Sequence, residues 1–411
     1  MYSSGNSISP TVANFTNYRL VLFIVAAAAI LTGLYFLYFH NTTAGHTTQS
    51  VTRKPIVITK GGTYSGTWES YDSEIPAIDI QTSEPVIIEN STIRSAGYLI
   101  KSWGYGVNVT VRNTSGYGLP PTPWRQYMKP RYFLTADVFK NVVVEHCYLE
   151  NTAGINITVE YQGDGSEEET IKIRYNKVRN IDGRIHNGVE SVNFVGLNFK
   201  KPIQHAEIAW NEVVNEPDNS IVEDNISIYN TRGTPGSPIK VHNNYIQGAY
   251  PFPASANDYS GGGIMAESPK TDSTRATAYV EIYQNQLVGL GNYCISVAGG
   301  NNIKVYDNTA IVAGVFEDGK RYKFWTSGIW IKDLYNMKST YKVQVENNKL
   351  AVVGKNGGWR NEFLDSLKTK NQAPLNHFLK GEVTKTLEKN EYRTWQQKLE
   401  QQEIKPGPFK S

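Results

Sequence analysis

"IKVHNNYIQG" (residues 239–248) reads as a short strand running into a turn. Apolar residues alternate at Ile239 and Val241, two asparagines follow, and Ile246 closes the phrase. Its outline returns as "IKIRYNKVRN" (171–180), "VEIYQNQLVG" (280–289), "IKVYDNTAIV" (303–312) and "VQVENNKLAV" (343–352). Aligned at the first apolar residue, the phrase starts at Val86, Val109, Val142, Ile171, Ala206, Ile239, Val280, Ile303 and Val343. Two positions on, every copy carries a β-branched aliphatic, from Ile88 to Val345. Five positions on stand Ser91, Thr114, Cys147, Asn176, Asn211, Asn244, Asn285, Asn308 and Asn348. Starts lie 23 to 41 residues apart, the spacing of a solenoid.

Period-two apolar pairs mean strands with one face buried. The stretches between them are too short for crossover helices, so each repeat is a coil of short strands stacked in parallel on the next. An asparagine at a fixed turn position can hydrogen-bond to the asparagines above and below it, and it tolerates a left-handed backbone. A further strand precedes most copies: "YLIKSW", "GINITVE", "SVNFVG", "NISIYN", "GGGIMAE", "YCISVAG" and "SGIWIKD". This three-strand coil resembles the right-handed parallel β-helix of the pectin/pectate lyase-like superfamily, over residues 56–354. The expected fold is all-β: a right-handed parallel β-helix solenoid of about nine coils. Past residue 354, "WRNEFLDSLKTK" and "NEYRTWQQKLEQQE" read as short amphipathic helices, so residues 355–411 are expected to form a helical cap.

The 411 residues carry a net charge of only +3, which marks no nucleic-acid partner. The two cysteines, Cys147 and Cys294, fall several coils apart, beyond disulfide reach. After an N-terminal tail (1–19), residues 20–39, "LVLFIVAAAAILTGLYFLYF", carry no charge and match the about 30 Å of a hydrocarbon core. This predicts a single-pass membrane anchor; a leader cleaved near Ala44 is the alternative. Arg19 flanks the N-terminal side, which places the N-terminus inside and the bulk of the chain outside. The polar residues 40–55 read as a linker.

In proteins of this superfamily, the substrate groove lies along the strand that precedes the phrase. Independently of the resemblance, the long insertions fall before that strand, at 182–190, 215–224, 249–262 and 314–327. Such loops carry function on a rigid scaffold. Tyr259, Tyr322, Trp325 and Trp330 are candidate sugar platforms, and Arg321 a candidate partner for an acidic group. The resemblance implies β-elimination on an acidic polysaccharide, which needs a cation for the carboxylate and a base for the C5 proton. Arg184, His186 and Lys332 are candidate bases. Asp182, Asp258 and Glu267 are candidate Ca²⁺ ligands. Hydrolysis instead needs two carboxylates, and Glu267 with Asp333 is the candidate pair. The Gly-His-Gly and Arg-x-Lys signatures of polygalacturonases and the Arg-rich signature of pectate lyases are absent, so no catalytic residue carries over. The competing reading is a non-catalytic surface β-helix that binds glycan or protein.

Overall fold

The computed structural model describes residues 53–120, 128–269, 272–360, 364–367 and 372–409. The tail, the anchor at 20–39 and the linker up to residue 52 lie outside the described residues. Among the described residues, no helix is long and apolar enough to cross a membrane.

The strands form three parallel ladders. The first runs from Ile56–Ile58 through Asp224–Tyr229, Gly262–Glu267, Ile295–Val297 and Ile329–Ile331 to Leu364–Asp365. The second holds the first half of each repeated phrase, for example Ile239–His242 on Ala278–Tyr283. The third holds the second half, from Thr67–Ser70 to His377–Phe378. The 12-residue strand Leu134–Glu145 belongs to both the first and the second ladder, so these two merge into one 20-stranded sheet. The third ladder has 11 strands. The described residues therefore wind eleven coils where the sequence indicates about nine. The first coil, starting at Ile56–Ile58, and the last, ending at His377–Phe378, lie outside the nine aligned phrases.

The alternation works as its chemistry demands. Ile239, Val280 and Ile303 pair in register and are fully buried, as are Val241, Ile282 and Val305. Their partners Lys240, Glu281 and Lys304 point outward, where Lys304 and Glu281 form an ion pair at 3.0 Å. Stacking β-branched residues on themselves along the axis fills the interior without gaps.

The asparagine column is continuous. The Nδ2 groups of Asn176, Asn211, Asn244, Asn285, Asn308 and Asn348 each donate to the Oδ1 of the next asparagine at 2.9 Å, ending on Asn376. Each of these amides also caps a backbone carbonyl of the preceding coil, as Asn244 does with Ile208. Asn376 is an additional member, supplied by the final coil. The left-handed residue, however, is the one before each asparagine. Tyr175, Trp210, Asn243, Gln284, Asp307 and Asn347 have φ between 53° and 59°. Such a conformation costs roughly 1–2 kcal/mol per non-glycine residue, which the buried amide network offsets.

The C-terminal region differs from a helical end cap. Leu364–Asp365 is a strand that pairs with Trp330 and Ile331, extending the first ladder. The helix α1, Lys385–Gln401, forms as "NEYRTWQQKLEQQE" suggests, N-capped by the Thr384 hydroxyl. It packs along the flank. Trp395 and Leu399 bury against Tyr245 and Val288, with Trp210 and Val214 beside them. The Trp395 indole donates to the Asn243 carbonyl at 2.8 Å. Beyond the helix, Gly407 N–H donates to the Tyr175 carbonyl at 2.7 Å and Phe409 packs on His146. The tail thus runs back over coils far from the C-terminal end.

Candidate functional site

On the first ladder, every second side chain faces outward. One outward column is Asn156, Gly196, Ser227, Met265, Ser296 and Trp330, each in register with the next. A second begins with Asn193, Asp224 and Gly262, where the alternation breaks: the pairing skips the next residue of each strand, and Phe194 enters the core beside Val195. Tyr293 stands two residues before Ile295, as Gly262 does before Ile264, and continues this column. Gly262 has no side chain, and the space is used: a Cβ there would lie 2.3 Å from the Tyr293 ring. Tyr293 therefore reaches over Gly262 and donates its hydroxyl to Asp224 Oδ1 at 2.6 Å.

Both residues are buried, Asp224 with 4% and Tyr293 with 2% of its surface exposed. Burial raises the Asp224 carboxyl to about 8. The Tyr293 hydrogen bond opposes the rise, and the charges of Glu223 and Glu267 add to it. Burial and the neighbouring Asp224 likewise push the Tyr293 hydroxyl well up. Tyr259 is exposed, at 56%, yet its hydroxyl lies beside Tyr293 and Asn292, and burial there raises it too. Trp330 flanks Tyr293 with ring centroids 6.1 Å apart, and Met265 packs with both. The Ser296 hydroxyl, between Met265 and Trp330 in the column, is buried without a hydrogen-bond partner among the described residues. Glu267 ends its strand paired with Tyr229, and Tyr335 donates to its carboxylate. Burial raises the Glu267 carboxyl, against that hydrogen bond and with the charge of Glu223. The surface therefore joins two raised carboxyls to an aromatic patch of Tyr259, Tyr293, Trp330 and Tyr335.

The residues singled out by sequence divide sharply. Glu267, Tyr259 and Trp330 belong to this surface, with the Lys332 amine 5.7 Å from the Trp330 ring centre. Arg184 is held elsewhere: its Nε and Nη2 donate to Asp182 at 2.8 and 2.9 Å, and its guanidinium stacks on Phe252. A guanidinium held this way is not a free base. Asp182 also takes Arg131 at 2.8 Å. Its burial would raise the carboxyl, but Arg184 and Arg131 outweigh that and hold it below the ordinary range. Both its oxygens are occupied, so it is no calcium ligand. His186 is exposed at the tip of the hairpin Arg184–Ile185/Gly188–Val189. Asp258 is exposed and accepts the Tyr259 amide at 2.7 Å. Asp333 accepts the amides of Met337 and Lys338, closing its own turn. Arg321 is exposed and forms a bridge with Val315. Tyr322 is only 1% exposed, inside a cluster with Tyr250, Phe316 and Phe324, so it offers no sugar platform. Trp325 is exposed, with Arg360 stacked 4.1 Å from its ring centre.

Among the described residues, no group of three or more His, Cys, Asp or Glu side chains is placed to hold a metal ion. The candidate set Asp182, Asp258 and Glu267 therefore does not fit Ca²⁺. Asp224, Tyr293 and Tyr335 were missed by sequence reasoning. The sequence carried no signal for Asp224 or Tyr293: each stands two residues before an inward isoleucine, and strict alternation would turn both inward.

A scan of protein-family models, a search of curated proteins and a search of solved structures each return no match.

Proposed function

We propose that this chain is a right-handed parallel β-helix protein of the pectate lyase-like type, held outside the cell membrane by residues 20–39, that binds and cleaves an acidic polysaccharide. The right hand follows from the near-universal chirality of parallel crossovers. The observation that carries the functional reading is one outward face that holds the raised carboxyls of Asp224 and Glu267 together with exposed Tyr259 and half-buried Trp330. Aromatic rings stack on sugar faces, and raised carboxyls suit proton transfer near neutral pH.

In β-elimination, a base takes the C5 proton of a uronate, the electron pair forms the C4=C5 bond, and the C4–O4 bond breaks. The leaving oxygen then needs a proton. Glu267 is the base in this reading. The leaving oxygen takes its proton from water, because Asp224 and Tyr293 stand at the other end of the strand from Glu267, about 16 Å along it. No step is routed through Ca²⁺, because the candidate ligands do not converge.

A second reading, binding without cleavage, is favoured by the burial of Asp224 itself. One experiment separates the two. The purified full chain is incubated with a panel of uronans, and the near-ultraviolet absorbance of the unsaturated product is followed. Elimination predicts a rise that Glu267→Gln abolishes. No rise, with retention of the chain on immobilised uronan, supports binding alone. Neither cleavage nor retention overturns the polysaccharide reading.

A further inference from the structure

Beside this groove lies a cavity of about 600 Å³, lined by Thr158, Asn198, Lys200, Lys201, Arg232 and Arg275, among others. Among the described residues, four cations line it and no aspartate or glutamate does. Carboxylates stand outside it. Glu160 pairs with Lys201 at 3.0 Å, and Asp272 feels the charges of Arg275 and Arg232. Lys200 and Arg275 are exposed; Glu160 feels the charge of Lys200 and Asp272 that of Arg275. Arg232 is fixed in place: Nη1 donates to the Ser273 carbonyl at 2.9 Å and its guanidinium sits over Tyr279. Thr158, Asn198, Asn230 and Thr274 add neutral hydrogen-bonding groups to the wall.

The cavity is continuous with the groove through the strand register. Thr158 faces Asn198, and Tyr229 faces Glu267. Leu197 pairs with Ile228, so Asn198 and Tyr229 are the next neighbours along those strands. Glu267 is then two strands from Asn198, about 10 Å.

We propose that this cavity binds a singly charged oxyanion substituent of the glycan in the groove, a sulfate ester or a uronate carboxylate. The inference rests on the reading of the groove as an acidic-glycan site and names the subsite that would select for charge. Two guanidinium groups and two ammonium groups around neutral donors match an oxyanion, through ion pairs that a neutral sugar cannot make.

The test is calorimetric titration of the full chain and of the Lys200→Ala/Arg275→Ala variant. The probes are a heparin-derived hexasaccharide, a polygalacturonate hexamer and a neutral cellohexaose. Both altered residues are exposed, and unchanged melting confirms the fold. The inference expects the variant to bind at least one anionic probe about tenfold or more weakly, with cellohexaose binding unchanged. Loss confined to the heparin fragment assigns sulfate; loss confined to polygalacturonate assigns carboxylate. A charge-reversed variant, Lys200→Glu/Arg275→Glu, is expected to lose more. If the wild type binds anionic probes and both variants bind them equally well, the inference is overturned and the groove reading stands. If the wild type binds none of the probes, both fall.

Discussion

Tyr293 reaches across Gly262 and donates its hydroxyl to Asp224 at 2.6 Å. The pair joins two coils separated by a third, and it makes a buried carboxyl part of the outward face. Burial carries Asp224 from an ordinary 3.8 to about 8. In this range the folded chain binds a proton that the unfolded chain does not. The stabilisation from protonated Asp224 is therefore fully present below about pH 4 and is lost as pH rises to about 8. Melting of the wild type relative to Asp224→Asn is expected to weaken over that interval, by on the order of a few kcal/mol, and to level off above it. Parallel melting curves from pH 4 to 8 contradict the assignment.

The asparagine column makes its own prediction. Asn244 is fully buried. It donates to Asn285 and Ile208 and accepts from the backbone and side chain of Asn211. Asn244→Ala strands donors on one side and a carbonyl on the other. Chemical denaturation should show a loss on the order of 3–5 kcal/mol. Cys147 occupies the same column and already donates its N–H to Asn176 Oδ1. Its thiol sits near the Val111 and Glu145 carbonyls. Cys147→Asn extends the column by one amide and should stabilise by about 1 kcal/mol. A destabilised variant would show that the column ends at Asn176 for reasons of space.

The repeating part of this fold is legible in the sequence because one constraint recurs in every coil. Ile239 and Val241 must face inward, and Asn244 must satisfy the turn, so each copy restates the others. The final coil was harder to read. Its strand Leu364–Asp365 is only two residues long, and its amide, Asn376, follows a short 3₁₀ turn at Ala373–Leu375 instead of a strand. The site was half legible. Glu267, Tyr259 and Trp330 stand out by chemical type and by their place near the expected groove. Asp224 and Tyr293 are 69 residues apart, and only the ladder register brings them together. Arg184 and Asp182 misled because a cation and a carboxylate near a groove look functional until each is seen to satisfy the other.

Helix α1 stabilises the flank of the solenoid. Trp395 is fully buried against Tyr245 and Tyr392, and it ties the helix to the left-handed residue Asn243. Trp395→Ala is expected to cost roughly 3–5 kcal/mol in denaturant unfolding. It should also speed amide exchange across residues 385–409 while leaving the asparagine column protected. Equal acceleration throughout would mean that the tail and the coils unfold as one unit.

Both cysteines are free and buried. Burial pushes the Cys147 thiol up to about 12 and the Cys294 thiol higher still. Thiolate is then scarce at neutral pH. Neither should react with a thiol-specific reagent until denaturant unfolds the chain, and both should then react. Rapid labelling of the native protein at either position would contradict the packing described.

The measurement that bears most directly on the groove is a calorimetric titration of uronan fragments into the full-length wild type and into Tyr259→Ala/Trp330→Ala. Tyr259→Ala removes the Tyr259 hydrogen bond to Tyr293, so unchanged melting of the variant is checked alongside. If the glycan lies on this face, the wild type binds and the variant binds about tenfold or more weakly, since each stacked ring contributes on the order of 1 kcal/mol. Wild-type binding that survives the double substitution unchanged, or no binding by the wild type to any uronan, would contradict the account.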